Sequence, residues 1–189
     1  LVYIHGGGWL SNSKDQITSH ISGLFYRTIN LVELGRKPVF VFDGKSPELK
    51  AKEVERRHQV KMEATVQYAK AHAAGDQEGM RKYAQIATTM KSYMIPESKK
   101  LLDLMGLPWI QAPSEGEAQA AYMNRMGKAD YCASQDYDSL MFGAPKLLRN
   151  VTISGKRRRG KAFIEVVPEV IELKKALGDC ELTQEQLID

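Results

Sequence analysis

Residues 38–46 read PVFVFDGKS. Behind Pro38, Val39 to Phe42 form an unbroken run of β-branched and aromatic residues, the pattern of a short strand buried on both faces of a parallel sheet. Such a strand delivers Asp43 to its C-terminal end. In open parallel α/β sheets the crevice outside the carboxyl ends of the strands is where ligands bind. The run therefore predicts an α/β fold, a central and mostly parallel sheet flanked by helices, and it marks Asp43 as a candidate site residue.

Upstream, Thr18 or Ser19 can cap a helix whose core face is Ile21, Leu24, Phe25, Ile29 and Val32, and Gly35 closes it. Ahead of that helix lie an apolar run from Leu1 to Ile4, HGGGWL over 5–10 and the polar turn SNSKDQ. Residues 45–100 change character, with long polar helical stretches, a surplus of basic residues, and AAGDQEG over 73–79 as a break between two helices. They predict a helical insertion projecting from the core; its plain structural reading is a solvated hairpin held by i to i+4 ion pairs.

After Pro96 a short helix carrying Leu101, Leu102 and Met105 stops at Gly106 and yields the strand LPWIQ. The stretch PSEGEAQAAYMNRM predicts a helix with Ser114 as N-cap, Glu117 at the capping-box position, and Ala118, Ala121, Tyr122 and Met126 as its packing stripe. ADYCAS is another buried strand, followed at once by QDYDSLMFG. LLRNVT and AFIEVV read as two strands of a hairpin around the basic turn SGKRRRGK, and Pro168 is expected to start a last amphipathic helix. The chain opens at Leu1 and closes at Asp189, just after the helix-start signal of Thr183 and Gln186, so both ends read as cuts.

Asp43, Glu115, Glu117, Asp136 and Asp138 share one placement, at the end of an apolar strand or in the first turn of the helix after it. With parallel strands, all five converge. Clustered carboxylates repel and raise each other's pKa values, so such a group persists only with cations to neutralise it. Oxygen ligation without His or Cys suits Mg²⁺ or Mn²⁺, and two such ions about 3.5–4 Å apart can activate water and stabilise a leaving oxygen in phosphodiester hydrolysis. Each acid also has an ordinary structural role open to it. Glu117 can close a capping box on Ser114, Glu115 can complement the helix dipole, and Asp136 with Asp138 can make a turn. Capping and turns do not require an acid at every strand end.

The bulk numbers set limits. At 189 residues and 43% hydrophobic, the chain can build one core; 27 Lys and Arg against 23 Asp and Glu leave a net charge of +4, a mild lean toward an anionic partner. Cys132 and Cys180 have no CxxC spacing, which argues against a disulfide scaffold or structural zinc and fits a reducing compartment. No apolar run approaches the roughly 18 residues of a membrane helix, so no membrane association is expected.

VFVFDGKSPELK, APSEGEA and SQDYDSLMFG are similar, in order and spacing, to the successive acidic motifs of the flap endonuclease family of XPG/Rad2-like 5′ nucleases, its archaeal members most closely, and ITSHISGLFYRT resembles the helix before the first. The resemblance runs over nearly the whole chain. It implies a PIN-like fold in which residues 1–189 are a single nuclease core domain and 45–100 a helical arch within it. It implies two Mg²⁺ ions, replaceable by Mn²⁺, with Asp43, Glu115 and Glu117 at one site and Asp136 and Asp138 mainly at the second. Lys50 and Arg57 match basic residues at the base of the arch that contact the scissile phosphate. Lys45, Glu115 and the run Lys156, Arg157, Arg158 and Arg159 complete the expected DNA contacts.

The implied activity is hydrolysis of DNA as a 5′ flap endonuclease and 5′–3′ exonuclease in replication and repair. The implied partners are branched DNA with a 5′ flap and, through a C-terminal tail, the sliding clamp PCNA. A monomer is expected, cytoplasmic in an archaeon and nuclear in a eukaryote. Family members carry one further acid in a strand ahead of Leu1, another in a helix beyond Asp189, and a helix-two-turn-helix that grips duplex DNA with a potassium ion. The chain by itself is therefore expected to be inactive or strongly impaired.

Two other classes compete. An apolar strand running into HGGGW resembles the oxyanion loop of α/β-hydrolase esterases, yet no G-x-S-x-G elbow occurs and the last histidine is His72. A DNA-binding module without catalysis would rest on the basic arch and the KRRRGK segment alone.

Overall fold

The computed structural model describes residues 18–87, 92–151, 156–159 and 162–188; LVYIHGGGWL and the polar turn after it lie outside them. In chain order the elements are α1 (Ser19–Glu33), β1 (Phe40–Phe42), a 3-10 turn (Glu48–Lys50), α2 (Ala51–Ala73), α3 (Gln77–Ala87), α4 (Met94–Leu104), β2 (Trp109–Gln111), α5 (Gly116–Arg125), β3 (Cys132–Ala133), α6 (Asp138–Met141), β4 (Lys146–Arg149), β5 (Lys156–Arg159), β6 (Ala162–Glu165), β7 (Glu169–Glu172), α7 (Leu173–Asp179) and α8 (Gln184–Ile188). They divide into two compact units, one running to Lys45 and resuming at Glu97, the other Ser46–Pro96.

The first unit is α/β. β1 and β2 pair in parallel with Phe42 opposite Gln111, β3 and β4 pair in parallel, and β7 adds an antiparallel edge to β4. β1 is half-buried rather than buried on both faces. Small side chains draw the second sheet together: Ala121 of α5, Cys132 of β3 and Ala144 after α6 form one buried cluster. Burial pushes the Cys132 thiol up, which leaves it an inert core group.

Helix α1 buries His20, Leu24, Thr28 and Leu31, whereas Phe25 and Val32 of the expected face are exposed. The face is rotated because polar groups take part in it. His20 Nε2 bonds to Glu97 Oε2 of α4 at 2.8 Å, which a reading of apolar spacing alone passes over. Thr183 and Gln186 form the expected reciprocal box at the start of α8: the Gln186 amide donates to Thr183 Oγ1 (3.2 Å) and the Thr183 amide to Gln186 Oε1 (2.9 Å).

Two expectations near the C-terminus fail together. LLRNVT does not pair with AFIEVV, because β4 has Leu147 and Leu148 both buried and is already flanked by β3 and β7. β6 takes the adjacent basic run instead: Lys156, Arg157, Arg158 and Arg159 are strand β5, with Lys156 opposite Glu165, and not the tip of a turn. Nor does a helix begin behind Pro168. Glu169 to Glu172, with Val170 and Ile171 at its centre, completes the sheet edge first, and the helix starts at Leu173. Proline is tolerated just ahead of an edge strand because its missing N–H faces no ladder partner.

The second unit is a helical pair. Gly75, at φ +68°, turns the chain between α2 and α3, and Asp76 Oδ1 accepts the Gly79 amide at the start of α3 (3.0 Å). α2 buries only Ala64 and Ala71, consistent with its polar composition. On its exposed surface Glu53 accepts from Arg56 (2.7 and 2.8 Å) and from Arg57 Nε (2.7 Å). These hydrogen bonds, Arg56 first, hold the Glu53 carboxyl down to about 2 from an ordinary 4.5. A depressed folded-state pKa contributes stability that is complete above the ordinary value and lost as pH falls toward 2. The Glu53 side chain is 40% exposed, so the effect is small and screened. In low salt, Glu53→Gln should flatten the loss of helical circular dichroism between pH 5 and 2, and in high salt it should change nothing.

Candidate active site

Parallel pairing brings the ends of β1 and β2 side by side. The Ala112 amide donates to the Phe42 carbonyl (2.8 Å), and the Gly44 amide to the Ser114 carbonyl (2.5 Å). The two loops touch so closely that a Cβ on Gly44 would run into the Ala112 carbonyl oxygen and lie 2.7 Å from the Pro113 backbone. A Cβ on Gly116 would meet Asp43 Oδ1 at 2.9 Å. Glycine at both positions is what lets an acid-bearing loop lie against the start of α5.

Asp43 itself accepts the Gly116 amide through Oδ1 at 2.7 Å. A carboxylate from a neighbouring strand thus caps α5, satisfying an orphan donor where the helix dipole favours negative charge. Glu115 is the N-cap residue and makes no side-chain cap; Ser114, the expected cap, stands one residue outside. The Asp43 carbonyl is held as well, by Gln111 Nε2 at 2.5 Å, and Gln111 Oε1 accepts from Lys99 Nζ at 2.6 Å. Lys99 lies over the Trp109 ring, 4.4 Å from its centroid.

Glu117 does not close a capping box either. Its Oε1 accepts the Ser134 hydroxyl at 2.6 Å, and Ser134 Oγ in turn accepts the Asp136 amide at 3.1 Å. Ser134 is buried and sits just past β3, so it ties the first turn of α5 to the turn that carries Asp136. Asp136 and Asp138 are exposed, Asp138 as the first residue of α6.

The acid-bearing loops therefore come together: Asp43 meets the start of α5, which holds Glu115 and Glu117, and Glu117 meets the Asp136 turn. The carboxylates do not form one cluster. Among the described residues no three acid, histidine or cysteine side chains stand close enough to hold a single ion. Asp43 and Glu117 are each directed by a protein donor, and like charges on separate loops repel. By the chemistry of its donors, carboxylate oxygens without His or Cys, the set suits hard divalent cations.

Lys45 is exposed just after Gly44, Lys50 ends the 3-10 turn, and Arg57 lies in α2 bonded to Glu53. Lys156, Arg157, Arg158 and Arg159 are placed by the β5–β6 register. Sequence reasoning missed Gly44, Gln111, Gly116 and Ser134. The glycines had a local signal, since each directly follows an acid at a strand end or helix start; Gln111 reaches Asp43 and Ser134 reaches Glu117, partners remote in sequence.

Residues 9–64 match the family model of the XPG N-terminal domain, and residues 106–189 that of the XPG I-region. Over 181 residues the chain is 56% identical to Flap endonuclease 1 of Staphylothermus marinus, taking in 95% of this chain and 52% of that protein. Among solved structures, flap endonuclease-1 from Methanococcus jannaschii matches with a TM-score of 0.64 at 41% identity, over 95% of this chain and 54% of that one. The catalytic core of Rad2 in complex with DNA substrate matches with a TM-score of 0.62 at 27% identity, over 93% and 46%. The chain spans about half the length of the curated relatives it matches. Two successive XPG models and this level of identity, over loops that pack their acids as described, place the chain in the flap endonuclease family.

Proposed function

We propose that this chain is the core of a divalent-metal-dependent 5′ nuclease that cuts branched DNA at a 5′ flap. The observation that carries the reading is the linkage of the acid-bearing loops at the carboxyl ends of β1, β2 and β3 through Asp43–Gly116 and Glu117–Ser134–Asp136. An α/β scaffold with only an incidental set of surface acids has no reason to tie them to one another.

In this reading Asp43, Glu115 and Glu117 hold one Mg²⁺ or Mn²⁺, and Asp136 with Asp138 hold mainly a second. Such ions, when bound, supply a nucleophilic water and neutralise charge on the phosphate oxygens. The chain's own residues do the rest. Gly116 and Ser134 aim Asp43 and Glu117, Lys50 and Arg57 offset charge on the scissile phosphate, and Lys45 with Lys156 to Arg159 track the DNA backbone. A DNA partner is supported by the Rad2 core, 27% identical, solved in complex with DNA substrate. The finer reading is a monomer that meets the sliding clamp PCNA through a tail of the whole protein.

The test uses a chimera in which this chain replaces the matching segment of the Staphylothermus marinus relative. Incision of a 5′-flapped duplex is expected with Mg²⁺ or Mn²⁺ and abolished by a chelator. A chimera that binds the flapped duplex tightly but never cuts it would leave only the DNA-binding module. The esterase reading has no support from these relatives.

A further inference from the structure

Arg149 closes β4 with 22% of its side chain exposed, and its contacts gather on one short turn. Its Nε donates to the Gln135 carbonyl at 3.2 Å, and its Nη1 donates to the Tyr137 hydroxyl. The guanidinium also lies over the Tyr137 ring, 4.2 Å from its centroid, and Glu169 of β7 approaches it at 3.6 Å. Gln135 and Tyr137 are the two neighbours of Asp136. One planar group thus grips the chain on both sides of an acid whose amide is already held by Ser134.

We infer that Arg149 is a positioning residue: with Tyr137 it sets the direction in which Asp136 presents its carboxylate, without touching the cation itself. The inference rests on the reading of Asp136 as a cation ligand. The geometry requires arginine. Its fork reaches a carbonyl and a hydroxyl with separate nitrogens while its charge lies over the ring, whereas a lysine ammonium is a single point on a flexible stem. Glu169 meanwhile gives the guanidinium a counter-charge from β7, so the partly buried cation stays paired.

The test compares Arg149→Lys, Tyr137→Phe and the double variant of this chain. Tyr137 is 52% exposed, so loss of its hydroxyl leaves the fold intact. Two readouts go beyond the thermal midpoint: amide exchange of residues 135–138 without divalent ions, and Mn²⁺ affinity by electron paramagnetic resonance. Arg149→Lys should speed exchange in the turn and weaken Mn²⁺ binding about tenfold, the scale seen when groups that orient metal ligands are lost. Tyr137→Phe should give part of both effects, and the double variant should be no worse than Arg149→Lys, because the two side chains act as one unit. A lower thermal midpoint with unchanged exchange and unchanged Mn²⁺ affinity overturns the inference, leaving Arg149 as a mere tie between β4 and its loop. If the parent chain binds no Mn²⁺, the cation reading falls on its own, and exchange in the turn alone decides whether Arg149 holds it.

Discussion

Asp136→Ala and Asp138→Ala, each made in the chimera, are expected to lower single-turnover incision at least about a hundredfold, roughly 2.7 kcal/mol of barrier, while affinity for flapped DNA stays nearly unchanged. Both side chains are exposed on the turn after β3, and the hydrogen bonds that order this turn use the Asp136 amide, the Gln135 carbonyl and the Tyr137 hydroxyl, all of which alanine keeps. Little folding energy is therefore at stake at Asp136. At Asp138 the loss of an acid from a helix start costs about 0.3–1 kcal/mol at most. A large fall in rate on an intact fold would mark the carboxylates as groups that work in the transition state. An equal fall in DNA affinity and rate would mean instead that they shape the DNA surface. Mn²⁺ affinity separates the cases further, since a cation ligand and a mere turn former differ there before any DNA is added.

Lys50→Ala or Arg57→Ala should each lower the single-turnover rate at least tenfold, about 1.4 kcal/mol, with a much smaller change in substrate affinity. Lys61→Ala or Lys70→Ala should do the reverse, weakening salt-dependent binding and sparing the rate. The two groups of cations differ in position along the chain. Lys50 ends the 3-10 turn at the root of α2 and Arg57 lies two turns into that helix, so both belong to the same short stretch behind Asp43. Lys61 and Lys70 lie further out along α2. In the free chain Arg57 is bonded to Glu53, which also takes Arg56. A phosphate must compete with that carboxylate for the Arg57 guanidinium. Glu53→Gln should accordingly raise DNA affinity at low salt while leaving the ranking of the four cation variants intact. Equal effects from all four substitutions, removed alike by lowering the salt, would reduce α2 to a diffuse basic surface.

Much of this molecule was legible along the chain because the signals were local. An unbroken apolar run ending in an acid identified β1 and Asp43; glycine at 75 and 106 marked where helices end; and Thr183 with Gln186 formed the box their spacing announced. Each depends on residues within about one turn of each other along the chain. What only the tertiary structure decided involves partners far apart in sequence. Polar His20 entered the buried face of α1 because Glu97, 77 residues on, was there to receive it. The basic run became β5 because β4 had already spent both its edges on β3 and β7. Glu117 had an acceptable local role as a cap and lost it to Ser134, while the cap of α5 passed to Asp43, 73 residues upstream of Gly116. Local chemistry determined which residues could do these things; long-range pairing, which satisfies buried donors wherever an acceptor comes within reach, determined which of them did.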